Sequence, residues 1–224
     1  QFVRHVFRVY WQATDMLLTP QNWNAFKVKR GALSKPKKAR GKVIQIPIED
    51  ALTTEIGHFA KQLRSGLPTD HFLRLHEANF ECEALIYSDN RAGRYSRTAD
   101  FRVSAQTGGT QAPEIVIEAK PLITNGDIAS RYMAEEGLGC FFCADSVYTK
   151  GPLGAMFAYT VTNTNASLRN DLHLAVTSHL PTPKSVTKVH LNSGDWATCS
   201  AHTRDHGLEP ILIVHVERMF PTVP

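Results

Sequence analysis

The sequence predicts an α/β fold with a mixed central sheet flanked by helices and core elements in the order αβββαβ. Three observations carry this. TADFRV and EIVIEAK, separated by the Gly-rich SAQTGGTQAP, alternate apolar and polar residues with period two between Thr98 and Lys120, the pattern of half-buried strands joined by a turn. Upstream, TTEIGHFAKQLRSGLP places Ile56, Phe59, Ala60 and Leu63 at i, i+3, i+4 and i+7, one apolar face of a helix. Downstream, LGAMFAYTV at 153–161 is almost wholly apolar, as in a strand covered on both sides.

The bulk composition fits this class. A chain of 224 residues holds one sizeable domain with a core. Its 42% hydrophobic and 21% charged residues are ordinary for a globular protein. A net charge of +4 suits an anionic partner without specifying one. No apolar run approaches the roughly 18 residues of a membrane span, and no signal-peptide pattern is visible. No membrane partner and a cytoplasmic placement are therefore expected. GxGxxG, GxxxxGK and GxSxG are all missing from the sequence, so nucleotide-binding and serine-hydrolase readings have no support. Four cysteines occur, Cys82, Cys140, Cys143 and Cys199. Cys140-Phe-Phe-Cys143 has no second CxxC to complete a zinc site and reads as small apolar residues around two buried phenylalanines.

Taken in order, residues 1–26 form an apolar, β-branched and aromatic run that fits either an extra strand or a helix on the core. Lys27 to Lys42 holds eight lysines and arginines and no acid. Gly31, Pro36 and Gly41 argue there against regular structure. The stretch reads as a flexible basic arm in which Lys27, Lys29, Arg30, Lys37, Lys38 and Arg40 neutralise phosphates, against the alternative of a solvated linker. The division is thus 1–47, an apolar segment and basic arm, and 48–224, a single domain with a C-terminal strand extension. Within the latter, Thr53 or Thr54 caps the helix that Gly66 and Pro68 end, placing Glu55 in its first turn. NFECEAL opens a strand whose turn, SDNRAG, leads to the next. Arg91, Arg94 and Arg97 surround that turn. Glu81 and Glu83 read as a solvated face. A helix is expected over 125–136, from Asn125 or Asp127 to Gly137 and Gly139, with Arg131 facing the cleft. A short helix and a Pro-rich connection follow at 163–184. VTKVHLN, a polar turn containing TCSAHTRDHG, and a last strand ILIVHVERMF close the chain. His202, Arg204 and His206 cluster in that turn as phosphate-holding candidates, with plain loop polarity as the alternative.

The chemistry concentrates on two strands. Side chains at i and i+2 share a face, so Glu118 and Lys120 project together, and Asp100 joins them if the strands pair. Two carboxylates and an ammonium at the end of an apolar sheet suit Mg²⁺, which takes hard oxygen ligands and keeps room for a phosphate. A lysine beside them orients water and stabilises developing negative charge.

Asp100 followed by Glu118-Ala119-Lys120 on the next strand resembles the PD-(D/E)xK nuclease superfamily, although Ala99 stands where many members have proline. The resemblance covers residues 48–162 and implies a restriction-endonuclease-like core. The GLGCFF and GAMFAYT segments are also similar to those of bacterial restriction-like proteins. It implies that Asp100 and Glu118 bind Mg²⁺ (Mn²⁺ as substitute) with the Ala119 carbonyl, and that Lys120 positions the attacking water. Glu55, on the preceding helix, is carried over as a further metal ligand. The expected activity is metal-dependent phosphodiester hydrolysis, with DNA the first substrate and endonucleolytic cutting favoured. A homodimer, or a partner protein in bacterial defence, is implied by the family alone. Two alternatives stand beside it: a non-cleaving nucleic-acid- or protein-binding module on the same fold, and an RNA-cutting toxin.

Overall fold

The apolar residues at the start of the chain recur at helical spacing, and in the computed structural model they form α1 (Phe2–Leu17), burying Val6, Phe7, Tyr10, Ala13 and Leu17. The structure describes residues 1–39, 42–86, 96–106, 112–142, 147–161, 167–179, 182–192, 195–205 and 207–223. Pro20 ends this run and opens α2 (Pro20–Lys27), where its missing N–H costs nothing. The open choice between strand and helix for residues 1–26 is settled as helix. Tyr10 lies 4.8 Å from Phe101 between ring centroids, so α1 belongs to the same core as the sheet.

The basic stretch is more regular than expected. β1 (Lys37–Ala39) and β2 (Lys42–Ile44) pair antiparallel, and bridges Leu33↔Pro47 and Gln45↔Val223 anchor the hairpin to its surroundings. Gly31, at φ +85°, and Pro36 lie outside both strands, so they punctuate the segment without preventing pairing. α3 (Glu49–Gly66) follows, with acids Glu49 and Asp50 in its first turn. Its N-cap is Ile48, five residues before Thr53, so Thr53 is buried in the second turn and caps nothing. A short α4 (Phe72–Leu75) leads into the sheet.

The sheet has seven strands, β3 (Asn79–Leu85), β4 (Thr98–Ser104), β5 (Glu114–Leu122), β6 (Leu153–Val161), β7 (Ser185–Asn192), β8 (Asp195–His202) and β9 (Ile211–Phe220). They lie in the order β3-β4-β5-β6-β9-β8-β7. The expected antiparallel meander is present as β3-β4-β5, and β6 runs parallel to both β5 and β9. Alternation along β5 and β6 divides the core. Ile115, Ile117, Phe157 and Tyr159 face the α1 and α3 side. Val116, Leu122, Met156 and Ala158 face the other side, with Tyr132, Phe141 and Leu172 of α5 (Arg169–Thr177).

Two expectations fail here. The helix predicted over 125–136 is instead a π-turn at Ile128–Tyr132 followed by a 3₁₀ turn at Leu138–Phe141. The Asp127 carboxylate accepts the amides of Ile123 and Thr124 at 2.9 and 2.8 Å, which fastens the preceding turn instead of capping a helix. Gly137 then passes so close to the Arg131 and Tyr132 carbonyls that a Cβ would sit 2.2 and 2.4 Å from them. The predicted polar turn around TCSAHT is β8. Its polar residues Thr198, Ser200 and His202 are buried, and each finds a hydrogen-bond partner on that face. Polarity there signals a buried network, not solvent.

At Gly57, α3 closes on β3 so tightly that a Cβ would lie 1.8 Å from Cys82 Sγ, whereas Gly66 has open space. Gly57→Ala should destabilise by about 1–3 kcal/mol and Gly66→Ala by no more than about 0.5 kcal/mol, as read by urea denaturation.

Candidate metal centre

Where β4 and β5 part, the site opens. Their pairing runs from Ser104↔Glu114 to Phe101↔Ile117, while β5 continues beside β6 as far as Leu122. Past Ile117, the Asp100 carboxylate replaces the ladder: its Oδ2 accepts the Ala119 amide at 2.6 Å. Its Oδ1 lies 3.4 Å from Thr53 Oγ1, which is also 3.2 Å from the Tyr159 hydroxyl. Asp100 is thereby fixed to β5 through Ala119 and to α3 through Thr53, whose hydroxyl continues to Tyr159 of β6.

Glu118 and Lys120 share one face of β5, and Lys120 Nζ donates to Glu118 Oε1. The same ammonium reaches Glu49 Oε1 at 3.3 Å. Ligand oxygens of Glu49, Asp100 and Glu118 all lie within 4.8 Å of one another. Glu118 is only 5% exposed, and its Oε2 accepts no hydrogen bond. An oxygen buried that way is costly unless something positive meets it. When all three carboxylates are ionised, one ammonium leaves an excess of two negative charges, which a divalent cation would offset. All the donors are hard oxygens, the set that Mg²⁺ or Mn²⁺ prefers. The residues therefore fit the ion the sequence suggests.

Electrostatics agree. Burial, then the neighbouring Asp100, pushes the Glu118 carboxyl up to about 9. Burial also raises Asp100, against the Ala119 amide and Lys120, and raises Glu49, against Lys120. For Lys120, burial pulls downward, but Glu118 and Glu49 together outweigh it and hold the amine above its ordinary value. Lys120 is thus a fixed cation at neutral pH.

Glu55 is not in the cluster. At about 100° per residue it lies roughly 240° around α3 from Glu49, and it pairs with Lys29 at 2.5 Å. Glu49 takes its place, because starting the helix at Glu49 turns that residue and Thr53 toward the sheet. The signal was the acidic pair Glu49-Asp50 after Pro47, the usual mark of a first helical turn. Glu81 is held by Arg102 at 2.5 Å and Glu83 by Thr54 at 3.3 Å, both outside the three-carboxylate group.

The expected phosphate contacts divide. Lys29 and Arg30 are exposed and Lys27 is half-buried, with Lys29 engaged by Glu55. The side chains of Lys37 and Lys38, together with Arg40, Arg91, Arg94, Cys143 and His206, lie outside the described residues. His202 and Arg204 are corrected: both are buried. His202 Nε2 bonds Ser200 Oγ at 2.7 Å. Arg204 donates to the carbonyls of Thr149, Lys150, Gly151 and Glu209, stapling two loops. Arg131 does line the cleft of about 440 Å³ above Glu49 and Lys120, together with Glu135 and Glu136. Cys82, Cys140 and Cys199 are free thiols.

Comparison with protein-family models, with curated proteins and with solved structures finds no match to this chain. No helix among the described residues is long and apolar enough to cross a membrane.

A carboxyl near 9 when folded and near 4.5 when unfolded makes the native state hold the extra proton between those values, so stability falls as pH rises through that window. Without divalent ions, thermal unfolding should show a loss on the order of 1 kcal/mol per pH unit from pH 7 to 9. Glu118→Gln should flatten that slope and raise the midpoint at pH 8.

Proposed function

We propose that this chain is a divalent-metal-dependent nuclease of the PD-(D/E)xK kind, hydrolysing phosphodiester bonds in DNA. The observation that carries the reading is the convergence of Glu49, Asp100 and Glu118 within 4.8 Å, with a buried oxygen of Glu118 left without a partner. These three carboxylates would hold the cation, with the Ala119 carbonyl beside them. When bound, Mg²⁺ or Mn²⁺ supplies Lewis-acid charge that activates water and offsets charge developing on the phosphate.

The chain's own residues do the remaining work. Lys120, kept protonated by Glu118 and Glu49, cannot accept a proton at neutral pH. Its part is to donate hydrogen bonds to the attacking water or a phosphate oxygen and to stabilise negative charge. Asp100 is held by the Ala119 amide and the Thr53 hydroxyl before substrate arrives, so it needs no reordering. Glu49 fixes Lys120 from the helix side, which aligns the ammonium with the cleft. Glu135 and Glu136 line that cleft against Arg131, so a polyanion approaches favourably only once the cation is in place.

Purified protein should nick supercoiled plasmid with Mg²⁺ or Mn²⁺ and not with chelator. Asp100→Ala, Lys120→Ala and Glu49→Gln should each lower the rate at least about a hundredfold, and Glu55→Ala should leave it unchanged. Linear duplex, single-stranded DNA and RNA in the same assay rank the substrates. Binding without cutting on every substrate would replace the enzyme with a binding module. Cleavage surviving Lys120→Ala would reject the site.

A further inference from the structure

The register of the sheet places an aromatic and cationic cluster on the same face as the proposed centre. Lys120 pairs with Ala158, and Ala158 with Glu217. Thr198 pairs with His215, so Trp196, two residues from Thr198, comes level with Glu217. Trp196 in turn pairs with His190 on the edge strand β7. Lys120, Ala158, Glu217 and Trp196 therefore form one lateral row, with Trp196 about 14 Å from Lys120 at three strand spacings. That span corresponds to roughly four stacked nucleotides at about 3.4 Å per step.

The row is physically connected. Glu217 accepts the Leu168 amide at 2.6 Å and lies 3.8 Å from Arg169 Nε. The Arg169 guanidinium stands 5.6 Å from the Trp196 ring centroid, and Lys188 Nζ stands 4.4 Å from it. His173 meets the same ring edge-on at 5.8 Å. Asp171, on the same helix, is already engaged by Asn125 at 3.0 Å. The other two tryptophans, Trp11 and Trp23, are buried, whereas Trp196 is half-buried and Lys188 exposed.

We infer that Trp196, with Lys188 and Arg169 on its ring, is a stacking subsite for an unpaired base of the strand whose phosphodiester lies at Lys120. This rests on the nuclease reading for its substrate. Base–aromatic stacking is tolerant of sequence, and adjoining cations track the backbone. Lys188, on a long exposed stem at the sheet edge, can swing from the indole to a phosphate as the base takes the ring face. Paired bases are not available to stack in this way, so the subsite selects single-stranded segments.

Lys120→Ala protein should be titrated with oligothymidylate of about twelve nucleotides, the matching oligouridylate and a duplex of equal length. Single strands should quench tryptophan fluorescence. Trp196→Ala should weaken their binding about tenfold, with Trp196→Phe nearly restoring it. Lys188→Ala should lower the salt slope of log K by about 0.7, and duplex binding should not respond to Trp196→Ala. Equal single-strand affinity in Trp196→Ala and the parent, with both folded by circular dichroism, overturns the subsite. So does a loss that Trp196→Phe fails to restore. Hydrolysis of bis(p-nitrophenyl) phosphate, too small to reach Trp196, keeps the two readings apart. It should persist in Trp196→Ala and vanish in Lys120→Ala, and its absence from wild type would count against the nuclease alone.

Discussion

Asp100 Oδ2 accepts the Ala119 amide at the point where β4 leaves β5, and the candidate site depends on that one hydrogen bond. A ladder continuing past Phe101↔Ile117 would pair the strand edge and leave no gap. A gap left unfilled would strand a buried N–H, which costs on the order of 1–3 kcal/mol. The carboxylate resolves the conflict by serving as the missing ladder acceptor while its charge stays in the gap. Glu118 and Lys120 project beside that gap, and Glu49 is delivered to it by the first turn of α3.

The surrounding fold explains why such a charge-dense pocket persists. Like charges in a desolvated site are unfavourable and push carboxyl groups toward protonation, as seen in the raised values of Glu118, Asp100 and Glu49. The excess is held in place by two apolar layers, one on each face of β5 and β6. α1 contributes directly to the first layer through Tyr10 and Trp11. The N-terminal helix is therefore part of the support under Asp100. An arrangement that sacrifices stability for a fixed electrostatic geometry is what a binding or catalytic centre requires.

Much of this was legible in the sequence, and the rest failed for identifiable reasons. Period-two alternation located β4 and β5 and put Asp100, Glu118 and Lys120 in one place, because strand periodicity fixes side-chain faces. The buried strand β6 was visible as a continuous apolar run. The third carboxylate was misassigned because the helix cap was read at least five residues late, which left Glu49 outside the helix and made Glu55 the acid of its first turn. β8 was missed because its polar face is buried: Ser200 bonds His215 at 2.8 Å and His202 at 2.7 Å, a pairing only tertiary structure supplies. The π-turn at Ile128–Tyr132 escaped because residues 125–136 carry helical spacing, whereas the Asp127 carboxylate that fastens the turn before it acts through contacts spacing does not show.

The proposed function requires Glu49, Asp100 and Glu118 together to hold one divalent cation. Crystals grown with Mn²⁺ and measured near the manganese absorption edge test it directly. A single strong anomalous peak is expected in contact with oxygens of all three residues, absent from Glu118→Gln crystals grown alongside. No peak at the three carboxylates at millimolar Mn²⁺, or one that persists unchanged in Glu118→Gln, would contradict it.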